Sequence, residues 1–136
     1  MKYIDTNVII SYLNNEDINH SKALKLLNNN ENVTTSSVTL LELRAVLSRT
    51  TNLSENEIEA FIDYLPEVNI DIPEIDINNV LNYASEIAFK IKLKTLDILH
   101  LSACIITNAN IFVTFDKDFV KKQHEILEIG IQIISI

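Results

Sequence analysis

The chain is poor in residues that cross-link, punctuate or anchor a fold. It has one cysteine in 136 residues. No internal disulfide can form, and a zinc site built on thiolates is excluded. A single thiol fits a reducing compartment, so a cytoplasmic location is expected. Cys104 lies among Ala103, Ile105 and Ile106 and reads as a small buried apolar residue. One glycine and two prolines leave few marked turns. Asparagine clusters such as Asn28-Asn29-Asn30 are the expected loops instead. No apolar run approaches the ~20 residues that span a bilayer, so no membrane partner is expected. The opening Met1-Lys2-Tyr3-Ile4-Asp5 puts charge where a secretory leader needs an apolar core, and no leader is expected. Positive charge is scarce too: 11 Lys and Arg stand against 19 Asp and Glu, for a net charge of -8. Such a chain binds nucleic acid poorly unless its few cations are gathered locally, because phosphate contacts need Lys and Arg.

What is present is apolar mass, at 47% of residues. A chain of this length buries roughly two-thirds of its unfolded surface. One domain over residues 1–136 with a single core is the expectation. No repeat or low-complexity block interrupts it. Short β-rich runs alternate with helical segments. Strands are expected at Lys2–Asp5, Val33–Thr35, Val68–Ile72, Ile111–Thr114 and Gln132–Ile134. Helices are expected at Thr6–Leu13, His20–Leu27, Val38–Ser48, Glu55–Tyr64, Asn79–Lys90, Ile98–Thr107 and Asp118–Lys122, with Ser54 capping the fourth. This alternation predicts an α/β/α sandwich on a mostly parallel sheet of four to five strands. The functional crevice of such a sheet lies beyond the carboxyl ends of its strands.

Acidic residues fall at that edge. Asp5 follows Tyr3-Ile4 at the end of the first strand, and Asp116 comes two residues after Thr114 at the end of another. Either could also be a helix N-cap. Glu42 shares a helix face with Val38, Ala45 and Val46 on a helix that is apolar nearly all round. A carboxylate there needs a partner. Arg49 is two turns away and Arg44 points elsewhere, so a metal ion explains it better. Asp97 opens the apolar stretch Ile98-Leu99-His100-Leu101 as an N-cap or first-turn acid, and shares its face with Leu101 and Cys104. His100 lies beside it and reads as a satisfied, partly buried histidine rather than a ligand, since no second histidine sits near enough for a zinc site. Two carboxylates ~5 Å apart repel by roughly 3 kcal/mol at an effective dielectric of about 20. Four converging acids therefore call for hard cations, Mg²⁺ or Mn²⁺, which suit sparse carboxylate ligation completed by water and phosphate.

Four segments in order carry a resemblance. Tyr3-Ile4-Asp5-Thr6-Asn7, Ser37-Val38-Thr39-Leu40-Leu41-Glu42-Leu43, Leu96-Asp97-Ile98-Leu99-His100-Leu101-Ser102-Ala103 and Val113-Thr114-Phe115-Asp116-Lys117-Asp118-Phe119 resemble the acidic motifs of PIN-domain ribonucleases, in particular the VapC-type toxins of toxin–antitoxin pairs. The resemblance covers essentially the whole chain. It implies metal-dependent cleavage of RNA, with Asp5, Glu42, Asp97 and Asp116 as the acidic site. Thr6 or Asn7 would assist at the first strand, and Thr114 would orient the fourth acid or the substrate. Asp118 could share or replace the role of Asp116; we favour Asp116, because Asp118 would already lie in the next helix. The resemblance further implies a small antitoxin partner and a homodimer.

The cations sit near these motifs. Lys90, Lys92 and Lys94 precede Asp97, and Lys117, Lys121 and Lys122 follow Asp116. They would rim a cleft formed by the acids and hold an RNA backbone, or else form a solvated face. Ala23, Leu24 and Leu27, and Ile58, Phe61, Ile62 and Leu65, make apolar stripes suited chiefly to the core. Two rival readings exist. A phosphatase with an Asp nucleophile would want a second Asp where Asn7 stands, and a receiver domain a Lys where Phe115-Asp116 stand. A non-catalytic module with this fold would have no need of all four acids.

Overall fold

The computed structural model describes residues 1–28 and 31–135. In chain order the elements are β1 (Lys2–Ile4), α1 (Thr6–Leu13), α2 (His20–Leu27), β2 (Val33–Thr34), α3 (Ser37–Thr50), α4 (Glu55–Tyr64), a 3-10 turn (Leu65–Val68), β3 (Ile70–Asp71), α5 (Ile77–Ile91), α6 (Thr95–Ile106), β4 (Ile111–Thr114), α7 (Lys117–Lys121), α8 (Gln123–Glu128) and β5 (Gln132–Ser135). The strands form one sheet in the order β3-β2-β1-β4-β5. All four pairings are parallel, so the sheet is wholly rather than mostly parallel.

Strand side chains alternate between two faces, and each face has its own core. Tyr3 and Phe112 point into one, packed by Val80, Ile87 and Ile91 of α5, Leu101 and Cys104 of α6, Phe119 and Ile126. Ile4, Val33, Ile70 and Val113 point into the other, against Val8 and Ile9 of α1, Ala23 and Leu27 of α2, Leu43 and Leu47 of α3, and Ile58 and Ile62 of α4. That is the three-layer sandwich. Its aromatic centre is Phe112, stacked on Tyr3 at 5.6 Å and tilted against Phe119 at 4.7 Å. Full burial of such a ring contributes about 1.5–3 kcal/mol. The apolar stripes of α2 and α4 serve this packing, with Ala23, Leu27, Ile58, Ile62 and Leu65 all buried.

Several boundaries differ from the sequence expectation, each for a local reason. Asp5 leaves β1 to cap α1, and Thr35 lies beyond β2. The third strand starts at Ile70 rather than Val68. Pro66 opens a 3-10 turn over Leu65–Val68, and Asn69 ends it in the left-handed region at φ 65. α3, α5 and α6 each begin earlier than expected, and α7 begins at Lys117. α8 was not expected at all. It has no side-chain cap, and Ile126 is its one buried residue, so it carries no periodic signal. With glycine scarce, left-handed turns fall to Asn69, Lys92 and Asn108, with Gly130 at φ 92 before β5. Asn28 closes α2 as its C-cap; Asn29 and Asn30 of the expected loop lie outside the described residues. Among the described residues no helix is long and apolar enough to cross a membrane.

Candidate functional site

Both central strands end in polar residues that lock to one another. The Asp5 N–H still donates to the Val113 carbonyl at 3.0 Å, in line with the β1–β4 ladder. Its side chain then turns to cap α1, Oδ1 accepting the Thr6 N–H at 2.8 Å. Oδ2 accepts the Thr114 hydroxyl at 2.7 Å. The same Thr114 oxygen accepts the Asp116 N–H at 2.9 Å and the Asn7 amide at 3.4 Å. Asn7 Oδ1 accepts the Phe115 N–H at 3.2 Å. Asp116 caps α7, its Oδ1 accepting the Asp118 N–H at 2.9 Å. Capping and site membership therefore coincide at Asp5 and Asp116: the cap fixes the carboxylate at the strand end.

The other two acids come from helices. Asp97 is a first-turn residue of α6, not its cap, which is Lys94. Glu42 projects from the second turn of α3. Its face is only partly buried, because α3 turns Val38, Thr39, Leu43 and Leu47 inward and leaves Leu41 at 68% exposure. The partner of Glu42 is His100, with Nε2 2.9 Å from Oε1. Arg44 is engaged elsewhere, in a two-pronged pair with Glu59. His100 is 1% exposed. Its Nε2 also lies 3.9 Å from Asp5 Oδ1, and its Nδ1 faces Thr39 Oγ1 at 3.4 Å. Thr39 meets the Tyr3 hydroxyl at 3.0 Å, which meets Ser36 Oγ at 2.6 Å. This buried polar string was invisible in the sequence. The only signal was the density of hydroxyls in Thr34-Thr35-Ser36-Ser37 and Thr39 ahead of an apolar helix.

Asp5, Thr6, Asn7, Glu42, Asp97, His100 and Asp116 line a cleft of about 260 Å³, with Ile10 and Val46 at its lips. Lys117 is exposed and does not line it; its ammonium donates to the Ser135 hydroxyl at 3.4 Å. Asp118 sits in α7 yet gathers with Asp97 and Asp116, their ligand atoms within 4.8 Å of one another. Asp5, Glu42 and His100 form a second group of the same tightness. Of the expected cations, Lys90 pairs with Glu128 and Lys121 with Asp118.

Mutual repulsion and burial show in the proton affinities. Asp97 is pushed up to about 6, by burial first, then by the charges of Asp116, Asp5 and Asp118 against the pull of His100. Burial also raises Asp5, opposed by His100, the Thr114 hydroxyl and the Thr6 N–H. Burial pulls Glu42 upward, but its contact with His100 outweighs this, and its pKa falls below the ordinary value. His100 is raised: burial opposes its charge, while Glu42, Asp5 and Asp97 favour it more. Thr6 Oγ1 is buried beside Glu42 without a partner of hydrogen-bonding geometry, the one such side-chain atom among the described residues. An orphaned hydroxyl among hard oxygen donors fits a hydrated divalent cation.

Fold and cleft together define an α/β sandwich with an acidic centre at the carboxyl edge of a parallel sheet. The family model of the PIN domain matches residues 2–125. The chain belongs to the PIN domain family. No curated protein matches the sequence. Solved structures share the fold. VapBC2 from Rickettsia felis, bound to a DNA fragment from its promoter, has a TM-score of 0.69 and 20% identity, over 99% of this chain and 98% of that one. VapC20 of Mycobacterium tuberculosis, a sarcin-ricin loop cleaving toxin, has a TM-score of 0.70 and 18% identity, over 89% of this chain and 94% of that one. VapBC-1 from nontypeable Haemophilus influenzae has a TM-score of 0.65 and 22% identity, over 99% and 98%.

Proposed function

We propose that the protein is a Mg²⁺- or Mn²⁺-dependent endoribonuclease and the toxin of a toxin–antitoxin pair. The observation that carries this reading is the convergence of Asp5, Glu42, Asp97 and Asp116, from four separate segments, on one cleft. Family membership supports it. Asp5, Glu42, Asp97 and Asp116 would hold the metal, with Asp118 beside Asp97 and Asp116. Bound there, a divalent cation makes water more acidic and offsets charge on a phosphodiester.

The chain's own groups prepare that chemistry. Thr114 and the Thr6 N–H hold both oxygens of Asp5, so its carboxylate cannot rotate. Asn7 ties the start of α1 to the turn before α7, which keeps Asp5 and Asp116 in register. Thr6 Oγ1 offers a further polar contact to a metal-bound water or to the substrate. Lys92 and Lys94 are exposed between α5 and Asp97 and suit backbone phosphates, which would fix RNA without reading its sequence. The same reading gives the protein a small antitoxin partner, a homodimeric state and a cytoplasmic location. Leu41, Ile77, Leu81 and Leu96 border one groove with their side chains exposed. An apolar patch of that kind supports a protein partner.

The test is cleavage of a mixed pool of structured RNA by the purified protein with Mg²⁺, with Mn²⁺ and with chelator, beside Asp5→Asn. Cutting should need metal and fall by at least about 100-fold in the variant, as expected when a charge-stabilising group is lost. Cutting that persists in chelator, or in Asp5→Asn, refutes the proposal.

A further inference from the structure

We infer that His100 is a positioning residue: it holds Glu42 in the cleft by donating its Nε2–H to Oε1, and it is not itself a metal ligand. This inference rests on the metal-centre reading above.

Glu42 is partly exposed on a helix surface, with 22% of its side chain accessible, and a long side chain there loses rotamer freedom only if something holds it. The arginine nearest in sequence, Arg44, is taken by Glu59. His100 is the side chain that meets it with hydrogen-bonding geometry. Its Nε2 lies 2.9 Å from Glu42 Oε1 but 3.9 Å from Asp5 Oδ1, so its directional contact is with Glu42 alone. An ionised carboxylate only accepts, so a contact of that length needs the proton on nitrogen. A bare Nε2 there would set two lone pairs against each other. A nitrogen that carries this proton has no lone pair for a metal.

The ring is braced from behind. Thr39 Oγ1 meets Nδ1 at 3.4 Å, and a hydroxyl serves that nitrogen as donor or acceptor. The Tyr3 hydroxyl bridges Thr39 and Ser36. The Tyr3 ring lies edge-on to the imidazole at 6.5 Å and is stacked on Phe112. The aim of Glu42 is thus tied through α6 to β1 and β4, the same strands that fix Asp5 and Asp116. A hydrogen-bonded shell behind metal-binding carboxylates usually matters about 10- to 100-fold in metal affinity.

Two measurements on the full chain test this. Nitrogen-15 spectra of histidine-labelled, metal-free protein should show a protonated Nε2 on His100. Mn²⁺ titration should show wild-type affinity reduced about 10- to 100-fold in His100→Leu. It should be largely restored in His100→Gln, whose amide N–H has the reach of Nε2, with melting temperatures showing that each variant is folded. Thr39→Val, which loosens the ring without touching Glu42, should weaken Mn²⁺ binding severalfold and carries the test if His100→Leu does not fold. A bare Nε2, an imidazole nitrogen directly coupled to bound Mn²⁺ in pulsed paramagnetic resonance, or folded variants with wild-type affinity would each overturn the inference. Wild-type protein that binds no Mn²⁺ defeats the metal-centre reading instead, and the nitrogen spectrum still decides whether the Nε2–H bond exists.

Discussion

Replacing Asp97 with asparagine should stabilise the metal-free protein while abolishing its activity. Burial and three neighbouring carboxylates raise the Asp97 pKa from 3.8 to about 6. Between those values the folded state binds more protons than the unfolded state, so stability falls as pH rises through that window, and the full penalty applies above about 6. The difference is worth roughly 3 kcal/mol for an unscreened group. Asp97 is only half-buried, and solvent screening reduces this to about 1 kcal/mol. Losing the carboxylate from the first turn of α6 offsets roughly 0.3 kcal/mol of helix-terminus attraction. The net gain in Asp97→Asn is then about 0.5–1 kcal/mol, or about 2–3 °C in Tm for a chain of this length. The assay is a set of thermal melts in chelator from below pH 3.8 to above 6. The variant's advantage should widen across that window and then hold constant. Metal should invert the order: at a free concentration about 100 times its Kd, it adds about 2.7 kcal/mol to the wild-type protein, and less to a variant short of one ligand. A variant that melts at or below wild type throughout in chelator would refute this account of Asp97, and so would an advantage that does not grow with pH.

Three further outcomes are expected. Thr114→Val keeps the shape of the side chain but removes the hydroxyl that joins Asp5, Asn7 and Asp116; denaturant unfolding should show a loss of about 1–3 kcal/mol, and RNA cleavage should weaken with it. Phe112→Ala empties the space between Tyr3 and Phe119 in a central strand and should cost about 3–5 kcal/mol in the same assay; a loss under about 1 kcal/mol would mean that the core there collapses freely. Ser54→Ala breaks the capping box with Glu57 at the start of α4 and should cost about 1 kcal/mol with no change in cleavage.

Much of the architecture was legible because local rules fix it. The two-residue period of Tyr3-Ile4 and Phe112-Val113 assigns each side chain to one face of a sheet. A polar residue follows each pair, Asp5 just after β1 and Thr114 as the last residue of β4. Ser54, as a cap, announces the start of α4. The edges were less legible. β3 spans two residues after a 3-10 turn that depends on Pro66 and the left-handed Asn69. α8 has too little apolar pattern to be seen.

The acids could be proposed from the sequence because carboxylates at strand ends, or on an otherwise apolar helix, are conspicuous, and the fold brings all four to one cleft. Their electrostatics could not. Asp97 is shifted by Asp116 and Asp118, which lie 19 and 21 residues further along the chain, and by Asp5 at its opposite end. The partner of Glu42 appeared in sequence to be a choice between arginines and a metal; in the fold it is His100, 58 residues away. The sequence by itself determined which residues are acidic, apolar or capping, since those are properties of side chains and their spacing. Only the tertiary structure decided which of them meet, how deeply they are buried and which hydroxyls stand behind them. Desolvation and charge–charge energies depend on through-space distances, and spacing along the chain does not encode those.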